Sequence, residues 1–167
     1  MNERVFGNPD QALIHRFATQ GGKAMPIDSN PMAQALGASL VRIDRARGEV
    51  DIGFEPADLF LQGTGVLQGG AVTAMLDFAM AFVTLASLPP QASCATVNLN
   101  TSFLRPAPQG RYLATGLLDR CGKALAFTQA RLVRADTGQV VATATSSLAV
   151  VAPSLPHSMP AGLQPTE

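Results

Sequence analysis

The chain has 167 residues, a length that predicts one domain able to bury roughly two thirds of its unfolded surface without metal or disulfide cross-links. Basic and acidic residues number 12 each, and no basic stripe is interleaved with aromatic residues, which argues against nucleic acid as a partner. Only 14% of the residues are charged, whereas soluble domains average about 25%, so we expect part of the surface to be buried between subunits.

Residues 1–29 are predicted to form a helical extension. Its helix, PDQALIHRFATQ, begins at Pro9 and ends before Gly21, and a short second helix follows at PMAQALG. The sequence SLVRIDRARGEVDIGF then alternates apolar and polar residues on both sides of ARG, which predicts two antiparallel strands joined by a turn. The next segment, EPADLFLQGTGVLQGG, is rich in glycine and predicts a loop in which the backbone can approach a ligand closely.

A long helix is predicted from Gly70 to about Leu85. It is apolar on nearly every face, which is typical of a core helix enclosed by the rest of the protein. Residues 72–88 are also the best candidate for a membrane span, but they fall short of the roughly 20 residues needed and carry Asp77 near the centre. We therefore expect a buried helix and no membrane. Asp77 either faces a functional cleft or is satisfied by a backbone N–H or an arginine, because an unpaired buried carboxylate is costly.

Four strands are predicted after Pro89 and Pro90: CATVNLNTSFL, RYLATGLLDRCG, ALAFTQARLVRA and QVVATATSSLAVV. Because strands and helices do not alternate along the chain, the fold class is α+β, with a mostly antiparallel sheet curled around one long central helix. The tail, residues 153–167, is rich in proline and small residues and is predicted to be disordered.

The chemistry available to a site is limited by the histidines and cysteines. His15 and His157 both lie near the termini, which argues against a histidine-bound metal or a central catalytic histidine. Cys94 and Cys121 form no CxxC pattern, and the N-terminal sequence lacks the apolar core of a signal peptide. We expect a cytoplasmic protein without a metal site.

This order of elements, with QGTGVLQGGAVTAMLDFA at the start of the long helix and TVNLNTSFLRPAPQG after it, resembles the hotdog-fold acyl-CoA thioesterases, in particular their phenylacetate-pathway-like branch. The similarity covers about residues 30 to 150, and we expect a hotdog domain over residues 30–152. The resemblance implies hydrolysis of acyl-CoA to a carboxylic acid and coenzyme A, with no further cofactor. It also implies a homodimer or homotetramer in which one continuous sheet encloses two helices and the active site lies between protomers.

The resemblance assigns roles to individual residues. Gly69 matches the glycine whose N–H polarises the thioester carbonyl, and Asp77 matches the catalytic carboxylate. Gln62 falls where many members have asparagine, and Thr96 falls where some members have a serine or threonine that places the attacking water. Gln68 replaces the usual histidine, and glutamine can form hydrogen bonds but cannot carry a proton near neutral pH.

The residues by themselves favour the same chemistry. A helix that starts near Gly70 offers unsatisfied N–H groups and a positive dipole end, so the Gly69 N–H can stabilise an oxyanion by roughly 3 kcal/mol. Alternatively, Gly69 and Gly70 only permit a tight entry to the helix. Asp77 would lie about 10–12 Å along the helix from Gly69, too far to share one carbonyl. We therefore expect the carboxylate to come from the neighbouring subunit, across two antiparallel helices.

Other candidates leave two interpretations open. Gln62, Gln68 and Thr96 assist catalysis or only satisfy backbone groups. The candidate substrate-binding residues are Gly70, Arg105, Arg120 and Lys123. They could hold coenzyme A, with the three cations binding its phosphates, or they could form a solvated rim. Core packing is the first role expected of the large apolar side chains of the helix, although some must border a pocket if Asp77 does: Met75, Phe78, Met80 and Phe82.

The alternative function is a catalytically weak acyl-CoA-binding hotdog protein, in which Gln68 marks lost activity. A hydratase on the same fold would require a central histidine beside its acid, and the sequence offers none.

Overall fold

The computed structural model describes residues 6–151 as one sheet with a long helix against its inner face. The elements are α1 Pro9–Thr19, β1 Met25–Pro26, α2 Pro31–Ala35, β2 Ser39–Asp44, β3 Glu49–Phe54, a 3-10 turn Asp58–Phe60, α3 Gly69–Ser87, β4 Ser93–Phe103, β5 Tyr112–Cys121, β6 Leu125–Arg134 and β7 Val140–Val151. The predicted order of two strands, one long helix and four strands is confirmed. The sequence did not predict β1, because two residues are too few to show alternation. The predicted tail, residues 153–167, lies outside the described residues.

All strand pairs in the sheet are antiparallel, in the order β1-β2-β3-β5-β6-β7-β4. Strand β4 directly follows α3 in the chain but lies at the far edge, where it pairs only with β7 over its whole length. A register shift between Thr96 and Asn98 leaves Val97 as an extra, 61% exposed residue in this edge strand. The free edge of β4 is thus interrupted by a bulge, which twists an edge strand locally.

Helix α3 packs against strands β3 to β7 and forms the centre of the core. Met75, Leu76 and Met80 are fully buried. Gly116 of β5 allows the close approach, since a Cβ there would lie 2.3 Å from the Ala79 carbonyl oxygen. Among the described residues, α3 is the one helix long and apolar enough to cross a membrane, and 61% of its apolar stretch is buried inside the protein, as a core helix would be.

One stripe of α3 is not covered by the sheet of its own chain. The partly exposed residues recur at helical spacing: Thr73, Ala74, Asp77, Phe78 and Ala81. Beside this stripe the inner face of β4 also stays open, and Phe103 is 55% exposed. Three of these five stripe residues are apolar, and apolar surface left open on one protomer is typical of an interaction surface.

The N-terminal helix α1 packs at the C-terminal end of α3. Leu13, Ile14 and Phe17 join the same buried cluster as α3, so the core continues across the predicted boundary at residue 29. The buried side chain of Gln11 donates from Nε2 to the Leu85 carbonyl at 3.0 Å. The extension therefore contributes to the core of the domain.

Candidate active site

The loop between the 3-10 turn and α3 is fixed to the protein by its backbone. Gln62 N–H donates to Val66 O at 2.8 Å, and Leu67 N–H donates to Ala107 O at 2.7 Å. Gly65 has φ +77°, a left-handed conformation that favours glycine. The loop delivers the chain to α3 in a defined direction and places Gln62 beside the helix start.

The N-terminus of α3 leaves two donors free. Gln68 is the N-cap residue, with extended backbone (φ −59°, ψ 139°), and its exposed side chain makes no capping hydrogen bond. Its carbonyl accepts from Ala71 N–H and Val72 N–H at 3.0 and 3.1 Å. Within residues 6–151, the N–H groups of Gly69 and Gly70 have no acceptor. Free N–H groups at the positive end of a helix are suited to bind a carbonyl oxygen that gains negative charge.

A cavity of about 630 Å³ opens beside Gly69. It is lined by Gln62 of the loop, Val72 of α3, and Phe103 and Arg105 after the edge strand. The Phe103 ring rests on Gly69, because a Cβ built on that glycine would lie 3.2 Å from ring atom Cζ. The structure therefore brings together three of the predicted residues, Gln62, Gly69 and Arg105.

Asp77 lies on the uncovered stripe of α3 and has one hydrogen-bond partner among residues 6–151. The Thr96 hydroxyl of β4 donates from Oγ1 to Asp77 Oδ1 at 2.9 Å. Burial raises the pKa of Asp77 above its ordinary value, and the Thr96 hydrogen bond partly opposes this rise. No cation within residues 6–151 forms an ion pair with Asp77, so the arginine-paired alternative finds no support there.

The two halves of the site are separated within one chain. The helix is continuous from Gly69 to Ser87, and the eight-residue step from Gly69 to Asp77 corresponds to about 12 Å along the axis. One protomer thus holds the Gly69 group and the Asp77–Thr96 pair at different positions along α3.

Arg120 and Lys123 lie at the opposite end of the sheet from Arg105. Arg105 follows the last residue of β4, near the start of β5, whereas Arg120 and Lys123 flank the end of β5, a ten-residue strand spanning about 30 Å. All three side chains belong to exposed residues. One protomer does not gather these cations around Gly69, and the sequence could not indicate this because it did not give the direction of β5 in the sheet. Their role in substrate binding stays a prediction.

The sequence reasoning missed two neighbours of the site. Phe103 lies in the segment TVNLNTSFLRPAPQG, but its contact with Gly69 depends on the pairing of β4 with β7 and is seen only in the folded structure. Cys94 lies two residues before Thr96, and its Sγ contacts the Ala81 carbonyl at 3.8 Å. Burial, with a smaller effect of the Asp77 charge, raises the pKa of Cys94 to about 12, so this thiol is protonated at neutral pH and unsuited to act as a nucleophile. No cluster of three or more potential metal ligands occurs within residues 6–151.

Comparison with known proteins decides the family. Residues 64–141, from the loop through the start of β7, match the thioesterase superfamily. A phenylacetic acid degradation-related protein from Ralstonia eutropha JMP134 has a similar structure, with a TM-score of 0.71 and 32% sequence identity over 85% of this chain and 99% of that one. The chain belongs to the thioesterase superfamily. It is a thioester hydrolase with the hotdog fold, and the predicted phenylacetate-pathway-like relationship is confirmed.

Two further proteins are similar to this chain at lower identity. The medium/long-chain acyl-CoA thioesterase YigI of Salmonella typhimurium strain LT2 is 26% identical over 72% of this chain and 85% of that protein. The PaaI protein from the phenylacetic acid degradation operon of E. coli shares the fold at a TM-score of 0.69, with 18% identity over 87% of this chain and 96% of that one. In the present chain, the region that matches the superfamily includes Gly69, Asp77 and Thr96. The match assigns no role to any of them.

Proposed function

We propose that this thioesterase hydrolyses acyl-CoA, with the Gly69 N–H of one protomer as oxyanion donor and Asp77 of the partner subunit as base or nucleophile. The family supports thioester hydrolysis, and the name of the Salmonella relative supports an acyl-CoA substrate. Coenzyme A is part of the substrate, and the proposed reaction uses no other cofactor.

The observation that carries the proposal is the environment of Asp77. It is the only ionisable residue in α3, its pKa is raised by burial, and it has a hydroxyl rather than a cation as its partner. A carboxylate held in this way keeps a stability cost that a structural ion pair would remove, which is typical of a functional group.

The proposal includes a partner subunit because Gly69 and Asp77 of one chain are too far apart. The Gly69 N–H and Asp77 of the same chain are about 12 Å apart along the helix, too far to act on one carbonyl. Two copies of α3 packed antiparallel on their uncovered stripes would place Gly69 of each protomer near Asp77 of the partner subunit. The open inner face of β4, with its exposed Phe103, supports the same homodimer, and a homotetramer would contain two such pairs.

The chemistry follows from these groups. In one route, Asp77 accepts a proton from water, the resulting hydroxide adds to the carbonyl carbon, and the Gly69 N–H stabilises the oxyanion. The C–S bond then breaks, and the thiolate of coenzyme A leaves and takes up the proton. In the other route, an Asp77 oxygen attacks the carbonyl carbon, the C–S bond breaks, and the thiolate of coenzyme A leaves. Water then hydrolyses the mixed anhydride, which regenerates the Asp77 carboxylate, releases the acid and supplies the proton that the thiolate takes up. Thr96 holds Oδ1 in both cases, which leaves Oδ2 free to react.

Substitution Asp77→Asn tests the proposal. It removes the charge and keeps the volume, so kcat for an acyl-CoA panel should fall roughly a hundredfold or more while substrate binding survives. Because the folded pKa of Asp77 is raised, its stabilising contribution is present at acid pH and lost as pH rises through that pKa, so the asparagine variant should be at least as stable at neutral pH.

Two results would contradict this proposal. An Asp77→Asn protein that melts much earlier but keeps its activity per folded molecule would make Asp77 a structural residue. A strictly monomeric wild-type protein with full activity, measured by solution mass beside the assay, would exclude a site shared between subunits.

A second candidate is an acyl-CoA-binding protein with weak turnover. The observation that favours it is Gln68, whose exposed side chain makes no capping hydrogen bond. In that case calorimetry would detect acyl-CoA binding without matching hydrolysis. Substitution Gln68→His should then raise or redirect hydrolysis across the panel, whereas unchanged kinetics would exclude a role for position 68.

A further inference from the structure

Thr73 is the one uncharged polar side chain on the uncovered stripe of α3. Apart from Asp77, the other stripe residues are apolar. Within residues 6–151 the hydroxyl of Thr73 makes no hydrogen bond. By contrast, Thr84 on the buried side of the same helix donates from Oγ1 to the Met80 carbonyl at 2.9 Å, the usual bond of a threonine inside a helix. Thr73 therefore keeps a donor and an acceptor available on a half-buried surface.

Thr73 lies midway between the two halves of the proposed site. Gly69 precedes it by four residues and Asp77 follows it by four, so all three face nearly the same side of the helix. The proposed site places Gly69 of each chain beside Asp77 of the partner subunit, across two antiparallel helices. Because a two-fold axis maps each helix onto the other, this pairing fixes the axis at the midpoint of the two residues, which is Thr73.

The residues around this midpoint are small enough for two helices to meet there. Gly70 and Ala74 lie beside Thr73 on the same side of α3, and neither is buried by its own chain. Packed helices have axes about 8–10 Å apart, and Cα atoms lie about 2.3 Å from each axis. The Cα atoms of two Thr73 residues at the two-fold axis would then be roughly 3.5–5.5 Å apart, which allows one hydroxyl to donate to the other.

We propose that the two-fold axis of the dimer passes between the two Thr73 side chains, whose hydroxyls bond to each other and fix the register of the α3 helices. This inference rests on the proposed site shared between subunits. An apolar stripe alone permits neighbouring registers, whereas one polar pair within an apolar contact selects a single register. Thr73 is thus a positioning residue. It holds Gly69 of one protomer opposite Asp77 of the partner subunit and does not itself contact the substrate.

Cross-linking of one position to its own copy locates the axis without using turnover. Only a residue beside a two-fold axis lies within disulfide distance of its copy, a Cα separation of about 4.4–6.8 Å. Thr73→Cys, oxidised with diamide in the full chain, should therefore convert most of the protein into covalent dimers. Peptide mapping should find the disulfide between the two substituted positions, and it separates this bond from any formed by the free thiols of Cys94 and Cys121.

Ala81→Cys is the matched control for the cross-link. Ala81 lies on the same stripe and is also partly exposed. It is eight residues from Thr73, so its two copies would be about 24 Å apart along the helices and should form no disulfide with each other. The covalent dimer of Thr73→Cys should also remain active, because the bond holds the register in which Gly69 and Asp77 meet.

Substitution Thr73→Val tests the hydroxyl itself. Because both copies change together, the two hydrogen-bond partners become apolar groups of the same shape, and the dissociation constant of the dimer should stay within about threefold. Loss of the register should instead lower kcat about tenfold with little change in KM, since small displacements of catalytic groups reduce the rate strongly. Thr73→Ser keeps the hydroxyl and should recover most of kcat. Melting curves and solution mass show that each variant folds and dimerises.

Three outcomes would overturn the inference. The wild-type protein could be monomeric, a dimeric Thr73→Cys protein could form no disulfide with its own copy, or Thr73→Val could keep the wild-type kcat. The proposed function fails separately. A protein that forms the Thr73→Cys disulfide and hydrolyses no thioester keeps the axis and loses the hydrolytic assignment, whereas hydrolysis that depends on Asp77 in a dimer without this disulfide keeps the hydrolysis and loses the axis.

Discussion

The two ends of α3 differ in how their backbone groups are satisfied. At the C-terminal end, Gln11 Nε2 donates to Leu85 O at 3.0 Å and lies 3.3 Å from the carbonyl oxygens of Pro89 and Ala92. Arg45 donates to the Ala86 carbonyl at the same end. At the N-terminal end, no side chain caps the helix, and within residues 6–151 the N–H groups of Gly69 and Gly70 have no acceptor.

This difference separates a structural end from the proposed reactive end. Unsatisfied groups at a buried helix end cost free energy, and side chains from α1 and from the turn after β2 meet that need at the C-terminus. At the N-terminus, where Gly70 is exposed, the proposed mechanism uses the free N–H groups to bind a substrate oxygen. A substrate oxygen that binds there is stabilised by donors already fixed in place, which is the requirement for an oxyanion site.

Removal of the N–H at the reactive end should give the largest effect. Gly69 is the first helical residue, where proline is well tolerated, and the extended backbone of Gln68 suits a residue that precedes proline. Gly69→Pro should therefore preserve the helix and lower kcat roughly a hundredfold to a thousandfold, the usual loss for one oxyanion donor. Steady-state hydrolysis and the melting temperature, measured together, check this expectation.

Gly69→Ala is the matched control for that variant. Both substitutions bring a Cβ to 3.2 Å from the Phe103 ring, but alanine keeps the N–H. The ring is half exposed and can move, so the alanine variant should retain most of its activity. Equal losses in the two variants would show that crowding at Phe103, and not the donor, controls the rate.

Substitution at the C-terminal end of α3 should change the stability of the protein and not its catalytic activity. Gln11 is only 4% exposed, and its amide lies within hydrogen-bond distance of three carbonyl oxygens at this end of α3. Gln11→Ala leaves the Ala92 carbonyl without its donor, whereas the Leu85 and Pro89 carbonyls keep backbone donors, and the free energy of unfolding should fall by about 1–3 kcal/mol. Activity per folded molecule should not change. Denaturant unfolding checks this against Gln34→Ala, which removes an exposed glutamine bond to the Asp28 carbonyl and should cost less than about 0.5 kcal/mol. Equal losses in the two variants would remove the special role of Gln11.

The sequence alone predicted the N-terminal end of α3 but not the contacts at its C-terminal end. The glycine pair before an apolar run predicted the helix start within one residue, because glycine and helix periodicity are local signals. Asp77 was equally visible, as one charge in an apolar run. The role of Gln11 was not, since its acceptors lie more than 70 residues away in the chain and no local pattern marks a glutamine as a buried donor.

The candidate site was likewise predicted from local signals and not from long-range contacts. Residue types and their spacing along α3 indicated Gly69 and Asp77, and the resemblance added Thr96, which the structure places on Asp77. The contact between Phe103 and Gly69 depends on the long-range pairing of β4 with β7, and the separation of Arg105 from Arg120 depends on the direction of β5. Sheet register and strand direction of this kind are set by tertiary packing and cannot be read from one segment.

The smallest expected effect concerns the influence of Thr96 on the pKa of Asp77, the proposed catalytic carboxylate. Its hydroxyl donates to Asp77 and lowers a pKa that burial has raised, so Thr96→Val should raise the pKa further. Because the proposed mechanism uses the ionised carboxylate, activity should be present above this pKa and lost below it, and the acid limb of the kcat/KM profile should move to higher pH. Thr96→Ser keeps the donor and should leave the limb in place. A limb that moves equally in both variants, or in neither, would show that the Thr96 hydroxyl does not control the protonation of Asp77.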